Sequence, residues 1–296
     1  MQVFITGSTG FVGNAVIRQL LTKGHLVHCL VRQGSEEKLP HKNDVTIHFG
    51  DVTDPDSLKK GMVGCDAVIH LVGIIREFPG KEITFEKLHV EATKNALQAA
   101  SAAGIKRYLQ MSANGTRANA KTGYHKSKWQ AEEAVRASQL DWTIFRPSLI
   151  YGKGGEFVEM MLDLVRKLPI VPVIGDGQYR MQPVSVKQVA ESFEKALRRP
   201  ETVGETYHLG GKKDYSYDQL LDIFGQAVGK KNVAKLHHPL ALMKPAIKIL
   251  QNIPQFPIAS DQLAMLLEGN VCDPTNWAET FDIEPEDFAV GLKDCV

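Results

Sequence analysis

The 296-residue sequence has only four cysteines, which are scattered at positions 29, 65, 272 and 295. No two of them form a CxxC pair, and no histidine stands near them at ligand spacing. The sequence therefore predicts neither a metal site nor a disulfide framework. This cysteine usage suits a reducing compartment, so we expect a cytoplasmic protein.

The sequence also lacks an excess of charge and a long apolar run. Its formal net charge is +1, whereas binding to nucleic acid needs a clustered basic surface, so we expect no nucleic-acid partner. Apolar stretches are interrupted well before the roughly 20 residues of a bilayer span. A strand-like run follows Met1 directly, so we expect no signal peptide.

What the first half does contain is an alternation of short apolar runs and segments of helical periodicity. Strands are predicted at 2–6, 26–31, 46–50, 67–71, 107–112 and 142–146, and helices at 11–23, 55–62, 85–103 and 122–138. Near-continuous apolar strands are typical of a parallel sheet covered by helices on both faces. The sequence therefore predicts an α/β fold with a Rossmann-type doubly wound parallel sheet.

The pattern loosens after Pro147 into pieces punctuated by glycine and proline. Helices are predicted at 156–166, 186–198, 217–228, 240–251 and 260–267, with one clear strand at 206–209. We expect residues 1–150, with 178–200 returning to them, to form the Rossmann domain. Residues 151–177 and 201–296 would form a smaller, mostly helical C-terminal substrate lobe.

A glycine-rich motif stands where the first strand turns into the first helix. Its residues are Gly7, Thr9, Gly10, Phe11, Val12 and Gly13 in a GxxGxxG pattern. The three glycines allow a tight turn, close approach of a pyrophosphate and close packing of the helix on the sheet. The helix N-terminus supplies N–H donors. Since these glycines cost conformational entropy that packing alone does not require, we predict a dinucleotide site rather than a bare turn.

The residue that follows the second strand indicates which dinucleotide binds. An NAD site usually has an acidic residue about 20 positions after the glycines, where it binds the ribose 2′-hydroxyl. Here that position holds Arg32, and a guanidinium suits a 2′-phosphate. NADP(H) is therefore favoured over NAD(H). Alternatively, Arg32 is a solvated charge near the adenine, which leaves the choice of cofactor open.

Residues that follow the other strands are expected to line the ligand crevice, because ligands bind at the carboxyl edge of such a sheet. We expect Asp51 to accept from the adenine amino group and Gly73 to leave space beside the ribose, and we interpret His70 as a hydrogen-bonded core histidine. The further cofactor residues predicted at this edge are Val52, Leu71, Val72, Met111, Ser112, Pro147 and Leu149.

Two further motifs indicate a family. Tyr124 and Lys128 form a YxxxK on a predicted helix, and residues 146–152 read RPSLIYG. With the glycine motif, residues 1 to about 210 resemble the extended or atypical short-chain dehydrogenase/reductases. The resemblance implies that Lys128 binds the nicotinamide ribose, while Tyr124, with its pKa lowered by Lys128 and the oxidised nicotinamide, exchanges a proton. Alternatively, both residues only hold the cofactor.

The sequence departs from the family pattern at two positions. The third catalytic group of the family is a Ser or Thr after the fifth strand, where our alignment places Ala113, so Ser112, Asn114 or Thr116 would have to replace its hydroxyl. His89 stands where extended members commonly have Asn. Both departures, with residues 273–285, resemble the atypical subgroup of the NADPH-binding accessory subunit of respiratory complex I.

Two functions follow from these expectations. The first is an NADP(H)-dependent oxidoreductase or epimerase acting on a small carbonyl, alcohol or nucleotide-sugar-like substrate, with residues 74–78, Asn114, Tyr151, Arg180 and Gln182 on the substrate side. The second is a non-catalytic NADPH-binding protein that assists a respiratory complex or quinone metabolism. Residues 236–258 either lie on a membrane surface, which would make the protein peripheral, or pack as a lid. A homodimer and a monomer are both compatible with the sequence.

Overall fold

The structure, a computed structural model, describes residues 1–250 and 259–296. The chain divides into two compact units. The first, called here the sheet unit, comprises Met1–Pro147, Val186–Leu209 and Pro274–Ile283. The second unit comprises Ser148–Ser185, Gly210–Asp273 and Glu284–Val296.

The sheet unit is built on a parallel sheet of seven strands. They are β1 (Gln2–Thr6), β2 (Leu26–Val31), β3 (Thr46–Phe49), β4 (Ala67–His70), β5 (Arg107–Met111), β6 (Asp141–Pro147) and β11 (Glu205–Leu209). Their order is β11-β6-β5-β4-β1-β2-β3. The predicted Rossmann-type α/β fold is confirmed. Because β1 lies between β2 and β4, the strand order reverses there, which is where ligands bind in open sheets of this kind.

The helices of the sheet unit follow the predicted positions, except for the last one, which the sequence does not predict. They are α1 (Phe11–Thr22), α2 (Pro55–Gly61), α3 (Ala92–Ala102), α4 (Gly123–Arg136), α6 (Val186–Ala196) and α10 (Thr275–Phe281). One difference is that the helix predicted at 85–103 begins as a π-helical segment, Glu86–Glu91, before α3. Periodicity does not reveal a π turn, because it inserts a single residue into an otherwise helical pattern.

Two late segments of the chain belong to the sheet unit, although the sequence places residues 201–296 in the smaller lobe. Strand β11 pairs with β6, with Thr206 opposite Ile144. In α10 the buried Trp277 donates its indole N–H to the hydroxyl of Ser192 in α6 at 2.8 Å. The sequence does not reveal these partners because they lie 62 and 85 positions away.

The described part of the second unit combines helices with three two-stranded sheets. Its strands are β7 (Ile150–Tyr151), β8 (Ile170–Ile174), β9 (Arg180–Met181), β10 (Val184–Ser185), β12 (Tyr215–Ser216) and β13 (Ala234–His238). Its helices are α5 (Glu156–Lys167), α7 (Tyr217–Ala227), α8 (Leu240–Leu250), α9 (Ser260–Glu268) and α11 (Phe288–Gly291). Sequence reasoning missed these strands; β7, β9, β10 and β12 have only two residues each, and strands of that length show no alternation.

The segment 236–258 is only partly described. It contains the end of β13 and all of α8, whereas residues 251–258 lie outside the described residues. Within residues 1–250 and 259–296, no helix combines the length and the apolar character needed to cross a bilayer.

Candidate functional site

The loop between β1 and α1 needs glycine at two of its positions. Gly7 has a φ of 74°, a left-handed conformation that other residues rarely adopt. A Cβ added to Gly13 would lie 2.3 Å from the carbonyl oxygen of Gly7, so α1 packs directly onto the loop. The first turn of α1 therefore presents its N–H groups at the carboxyl edge of β1, as a pyrophosphate site requires.

Ser8 fastens this loop to the neighbouring strand. Its buried hydroxyl donates to the carbonyl oxygen of Leu30 in β2 at 2.9 Å. Because β2 ends one residue before Arg32, this hydrogen bond fixes the glycine loop relative to the predicted phosphate-binding side chain. Sequence reasoning missed Ser8, since its partner is 22 positions away and the glycine pattern does not require a serine there.

A pocket lies along the carboxyl edge, where the strand order reverses. It is lined by the glycine loop, by residues at the ends of β2, β3 and β4, and by one residue of the π-helical segment. The predicted cofactor residues that line it are Gly7, Thr9, Gly10, Arg32, Asp51, Val52, Leu71, Val72 and Gly73. Leu30, Gly50, Ile74 and Leu88 also line it, although the sequence does not single them out for the cofactor.

The other predicted cofactor residues lie outside this lining. Phe11, Val12 and Gly13 form the first turn of α1, Met111 and Ser112 stand at the end of β5, and Pro147 ends β6. Leu149 belongs to the second unit.

Arg32 and Asp51 are the charged residues of the pocket lining. Arg32 is exposed. One carboxylate oxygen of Asp51 accepts the backbone N–H of Thr53 at 2.9 Å and its hydroxyl at 2.8 Å. These bonds hold the Asp51 carboxylate in one orientation at the pocket.

Lys128 lies beneath the far end of the pocket. Its buried ammonium group donates to the carbonyl oxygens of Val72 at 3.4 Å and Met111 at 3.3 Å. A Cβ on Gly73 would lie 2.8 Å from the Lys128 nitrogen, so glycine leaves room for this group. Burial lowers the pKa of Lys128 to about 8, and the charge of Glu132 partly opposes that shift.

Tyr124 stands one helical turn before Lys128, and aromatic rings surround it. Its ring makes edge contacts with the rings of Phe85, His89 and His125, at centroid distances of 5.9, 5.5 and 5.2 Å. Burial raises the pKa of Tyr124 to about 12. We expect Lys128 and a bound nicotinamide to lower the pKa of Tyr124, and this effect therefore has to overcome the effect of burial.

His89 links the loop after β4 to α4, the helix that contains Tyr124. Its Nε2 accepts the backbone N–H of Ile74 at 3.0 Å, so the ring proton is on Nδ1, which donates to the Ser127 hydroxyl at 2.8 Å. Ser127 in turn donates to the carbonyl oxygen of Tyr124 at 2.8 Å. Burial, followed by the charge of Lys128, lowers the pKa of His89 to about 2, so the ring is neutral.

His70 is a core histidine, in agreement with the sequence analysis. It is fully buried at the end of β4, and its Nδ1 lies 2.7 Å from the hydroxyl of Thr6 in β1. Burial, with the charge of Lys128, lowers the pKa of His70 to about 3. This neutral ring supports the carboxyl edge directly below the glycine loop.

The hydroxyls near Ala113 face each other. Ser112 and Thr116 are both buried, and the Ser112 hydroxyl donates to the Thr116 oxygen at 3.4 Å. Asn114 lies between these two residues in the sequence, and its side-chain oxygen is 2.9 Å from Nδ1 of His208 in β11. The loop after β5 thus contains two hydroxyls that are hydrogen-bonded to each other and the Asn114 side chain, whose oxygen contacts His208.

Comparison with known families agrees with this arrangement. The model of the NAD dependent epimerase/dehydratase family matches residues 3–210, which is more than half of the chain. The chain belongs to the NAD-dependent epimerase/dehydratase family. The resemblance stated from the sequence is confirmed, and this epimerase/dehydratase family member has the Rossmann-type fold expected of it.

Two curated relatives and one solved structure are similar to this chain. The family member is 32% identical to the mitochondrial NADH dehydrogenase [ubiquinone] 1 alpha subcomplex subunit 9 of Arabidopsis thaliana, over 98% of this chain and 72% of the relative. It is 30% identical to the ceramide reductase of Caulobacter vibrioides, over 67% and 61% of the two chains. The structure of MoeE5 in complex with UDP-glucuronic acid and NAD matches with a TM-score of 0.79 at 16% identity, covering 100% and 97%; at that identity, the match establishes only the fold.

Proposed function

We propose that this family member binds NADP(H) in the pocket of the sheet unit and interconverts a small carbonyl compound and its alcohol. The observation that carries the proposal is the pocket itself, which joins the glycine loop and Arg32 to Gly73, where the Lys128 ammonium lies. When bound, the nicotinamide supplies or accepts the hydride.

The residues of the pocket suit the parts of this cofactor. The glycine loop and the N-terminus of α1 would hold the pyrophosphate. Arg32 would pair with the 2′-phosphate through charge-assisted hydrogen bonds, which a ribose hydroxyl does not offer. Lys128 would donate to the nicotinamide ribose from beneath Gly73.

Tyr124 would exchange the proton with the substrate. Burial keeps its phenol protonated up to about pH 12 in the protein without cofactor, so the hydroxyl is ready to donate in the direction of reduction. Lys128 is positively charged below about pH 8 and stabilises a developing phenolate one helical turn away. Reduction at neutral pH therefore uses a protonated Tyr124 beside a charged Lys128.

A second candidate function is a non-catalytic NADPH-binding protein that assists a respiratory complex, peripheral to a membrane. Ala113 supplies no hydroxyl where the family has one, which favours this candidate. The likeness to a subunit of mitochondrial NADH dehydrogenase supports it as well. Both candidates require the same cofactor site, so they differ only in turnover and in the partner.

Calorimetric titration with NADPH and NADH tests the cofactor. Replacing Arg32 by Ala should weaken NADPH binding by about 30-fold, corresponding to loss of about 2 kcal/mol from charge-assisted contacts, and should leave NADH binding unchanged. Arg18→Ala, on the exposed face of α1, is the control and should change neither. An unchanged ratio of the two affinities in Arg32→Ala would refute the preference for NADP(H).

Turnover separates the two candidates. Oxidation of NADPH would be followed with ketones, quinones and UDP-sugars, for the wild type and for Tyr124→Phe. The oxidoreductase proposal predicts turnover that falls at least 100-fold in Tyr124→Phe, with NADPH affinity retained. Tight NADPH binding without turnover on any of these substrates would favour the second candidate.

A further inference from the structure

His89 lies in the π-helical segment that precedes α3. This segment comprises Glu86–Glu91, and π turns, which insert one residue into a helix, occur frequently at functional sites. Within it, Leu88 lines the pocket, whereas the ring of the buried His89 contacts Tyr124 of α4. Two consecutive residues of this segment therefore serve the pocket and the helix that contains Tyr124.

The ring of His89 uses both of its nitrogens for hydrogen bonds, and the two bonds lead to different elements. Its Nε2 accepts the backbone N–H of Ile74 at 3.0 Å, and Ile74 lines the pocket. Its Nδ1 donates to the Ser127 hydroxyl at 2.8 Å, which donates to the carbonyl oxygen of Tyr124 at 2.8 Å. A residue of the pocket wall is thus connected to the backbone of Tyr124 by a continuous chain of hydrogen bonds.

The ring of His89 also contacts the ring of Tyr124 directly. Their centroids lie 5.5 Å apart with the two planes at 83°, and Phe85 stacks on the His89 ring at 5.2 Å. Tyr124 is therefore held both by its ring and by its carbonyl oxygen. Burial and the charge of Lys128 lower the pKa of His89 to about 2, so both contacts persist at neutral pH.

His89 lies beside the ammonium group of Lys128 as well. A Cβ added to Gly73 would lie 2.8 Å from the Lys128 nitrogen and 3.5 Å from Nε2 of His89. The lone pair of Nε2 is directed to the N–H of Ile74, and the Lys128 ammonium donates to backbone carbonyl oxygens instead. Both residues of the YxxxK pair therefore adjoin the His89 ring.

We propose that His89 is a positioning residue for the reaction, because it fixes the Tyr124 hydroxyl relative to the pocket wall at Ile74. The inference rests on the proposed oxidoreductase function and deepens it, since it names the residue that sets the distance over which Tyr124 transfers its proton. A proton donor must lie within hydrogen-bond reach of its acceptor. A misplacement of about 1 Å lowers the rate of such a step about 100-fold.

The test measures kcat and KM with phenanthrenequinone as carbonyl probe, and the calorimetric affinity for NADPH. It also measures the primary isotope effect with NADPH deuterated at the transferred hydride. His89→Phe keeps an aromatic ring and removes both hydrogen bonds, so it should lower kcat about 100-fold and leave the NADPH affinity nearly unchanged. The isotope effect should rise, because the chemical step becomes the slow one.

Two amide variants separate the two hydrogen bonds of the ring. Asn places a donor near the position of Nδ1, whereas Gln places an acceptor near the position of Nε2. His89→Asn should therefore keep the bond to Ser127, and His89→Gln should keep the bond to Ile74. Each should recover about tenfold of the kcat that His89→Phe loses, since each restores one half of the connection.

Ser127→Ala interrupts the same chain of hydrogen bonds at its other end. It should lower kcat about tenfold in the wild type and cause no further loss in His89→Phe, because residues of one network are not additive. His28→Asn is the matched control. Its ring lies in β2 and contacts His48 and Gln2, so its replacement should leave kcat and the isotope effect unchanged.

Wild-type kcat in His89→Phe would overturn the inference while the oxidoreductase function stands. The same holds for a kcat that falls with an unchanged isotope effect and in proportion to the NADPH-binding fraction, because partial unfolding alone gives that result. If His89→Phe does not fold, an unchanged kcat in Ser127→Ala overturns the inference. A wild type that binds NADPH but oxidises it with no carbonyl probe would overturn the function and this inference together.

Discussion

Lowering the pH from 7.5 to 5.0 should destabilise the sheet unit through two buried histidines. The folded-state pKa values are about 3 for His70 and about 2 for His89, whereas the unfolded value is about 6.5. Below about pH 6.5 the unfolded chain therefore binds protons that the folded chain excludes. The stability associated with neutral His70 and His89 is complete above that pH and is lost as the pH falls.

The magnitude follows from the unfolded pKa alone, because both folded values lie well below pH 5. At pH 5.0 each histidine stands about 1.5 pH units below its unfolded pKa, and each unit is worth about 1.36 kcal/mol. His70 and His89 thus cost about 2 kcal/mol each, or about 4 kcal/mol together, relative to pH 7.5. The carboxylates of Asp282 and Asp287, whose pKa values are lowered, titrate below this window.

Urea unfolding at the two pH values, followed by tryptophan fluorescence, measures the effect. The variants His70→Asn and His89→Asn should each lose about 2 kcal/mol of the wild-type difference between pH 7.5 and 5.0, since each removes one titrating group. His41→Asn, in a half-exposed loop position, is the control and should keep the full difference. If both core variants keep it too, the linkage of stability to these two rings is refuted.

Three further substitutions test the architecture. Gly13→Ala should abolish NADPH binding in calorimetry, since its Cβ would meet a carbonyl oxygen at 2.3 Å, whereas Gly80→Ala, with no atom within 4 Å, should bind normally. Glu132→Gln should lower the free energy of unfolding by about 3 kcal/mol, because it leaves buried arginine charge uncompensated; a loss under 1 kcal/mol would contradict this. Trp277→Phe should cost about 1 kcal/mol in urea unfolding by removing the hydrogen bond to Ser192, and an unchanged midpoint would show that bond to be dispensable.

The parts of the site that sequence reasoning found are those encoded locally. The glycine loop, from Gly7 to Gly13, is a pattern of seven consecutive residues, and its requirement for glycine is steric. Tyr124 and Lys128 are one helical turn apart, so their spacing alone places them on one face. The doubly wound parallel sheet is predicted from the alternation of strands and helices, which leaves few topologies open.

The parts that it missed depend on partners far along the chain. Ser8 is held by Leu30, and the partner of the Asn114 side-chain oxygen is His208, 94 positions away. The role of His89 depends on Ile74 and Ser127 together, and no periodic pattern encodes such a contact.

Helix α10 lies late in the sequence, and its position affects when the sheet unit can complete its fold during synthesis. Phe281 is fully buried and packs against Phe145 and Tyr207, at centroid distances of 5.6 and 5.0 Å. During synthesis these aromatic rings stay uncovered until residues 274–283 leave the ribosome, well after all seven strands of the sheet have been made. Chains that stop short of this segment would present an open aromatic surface to chaperones and proteases, even though every pocket residue had already been made.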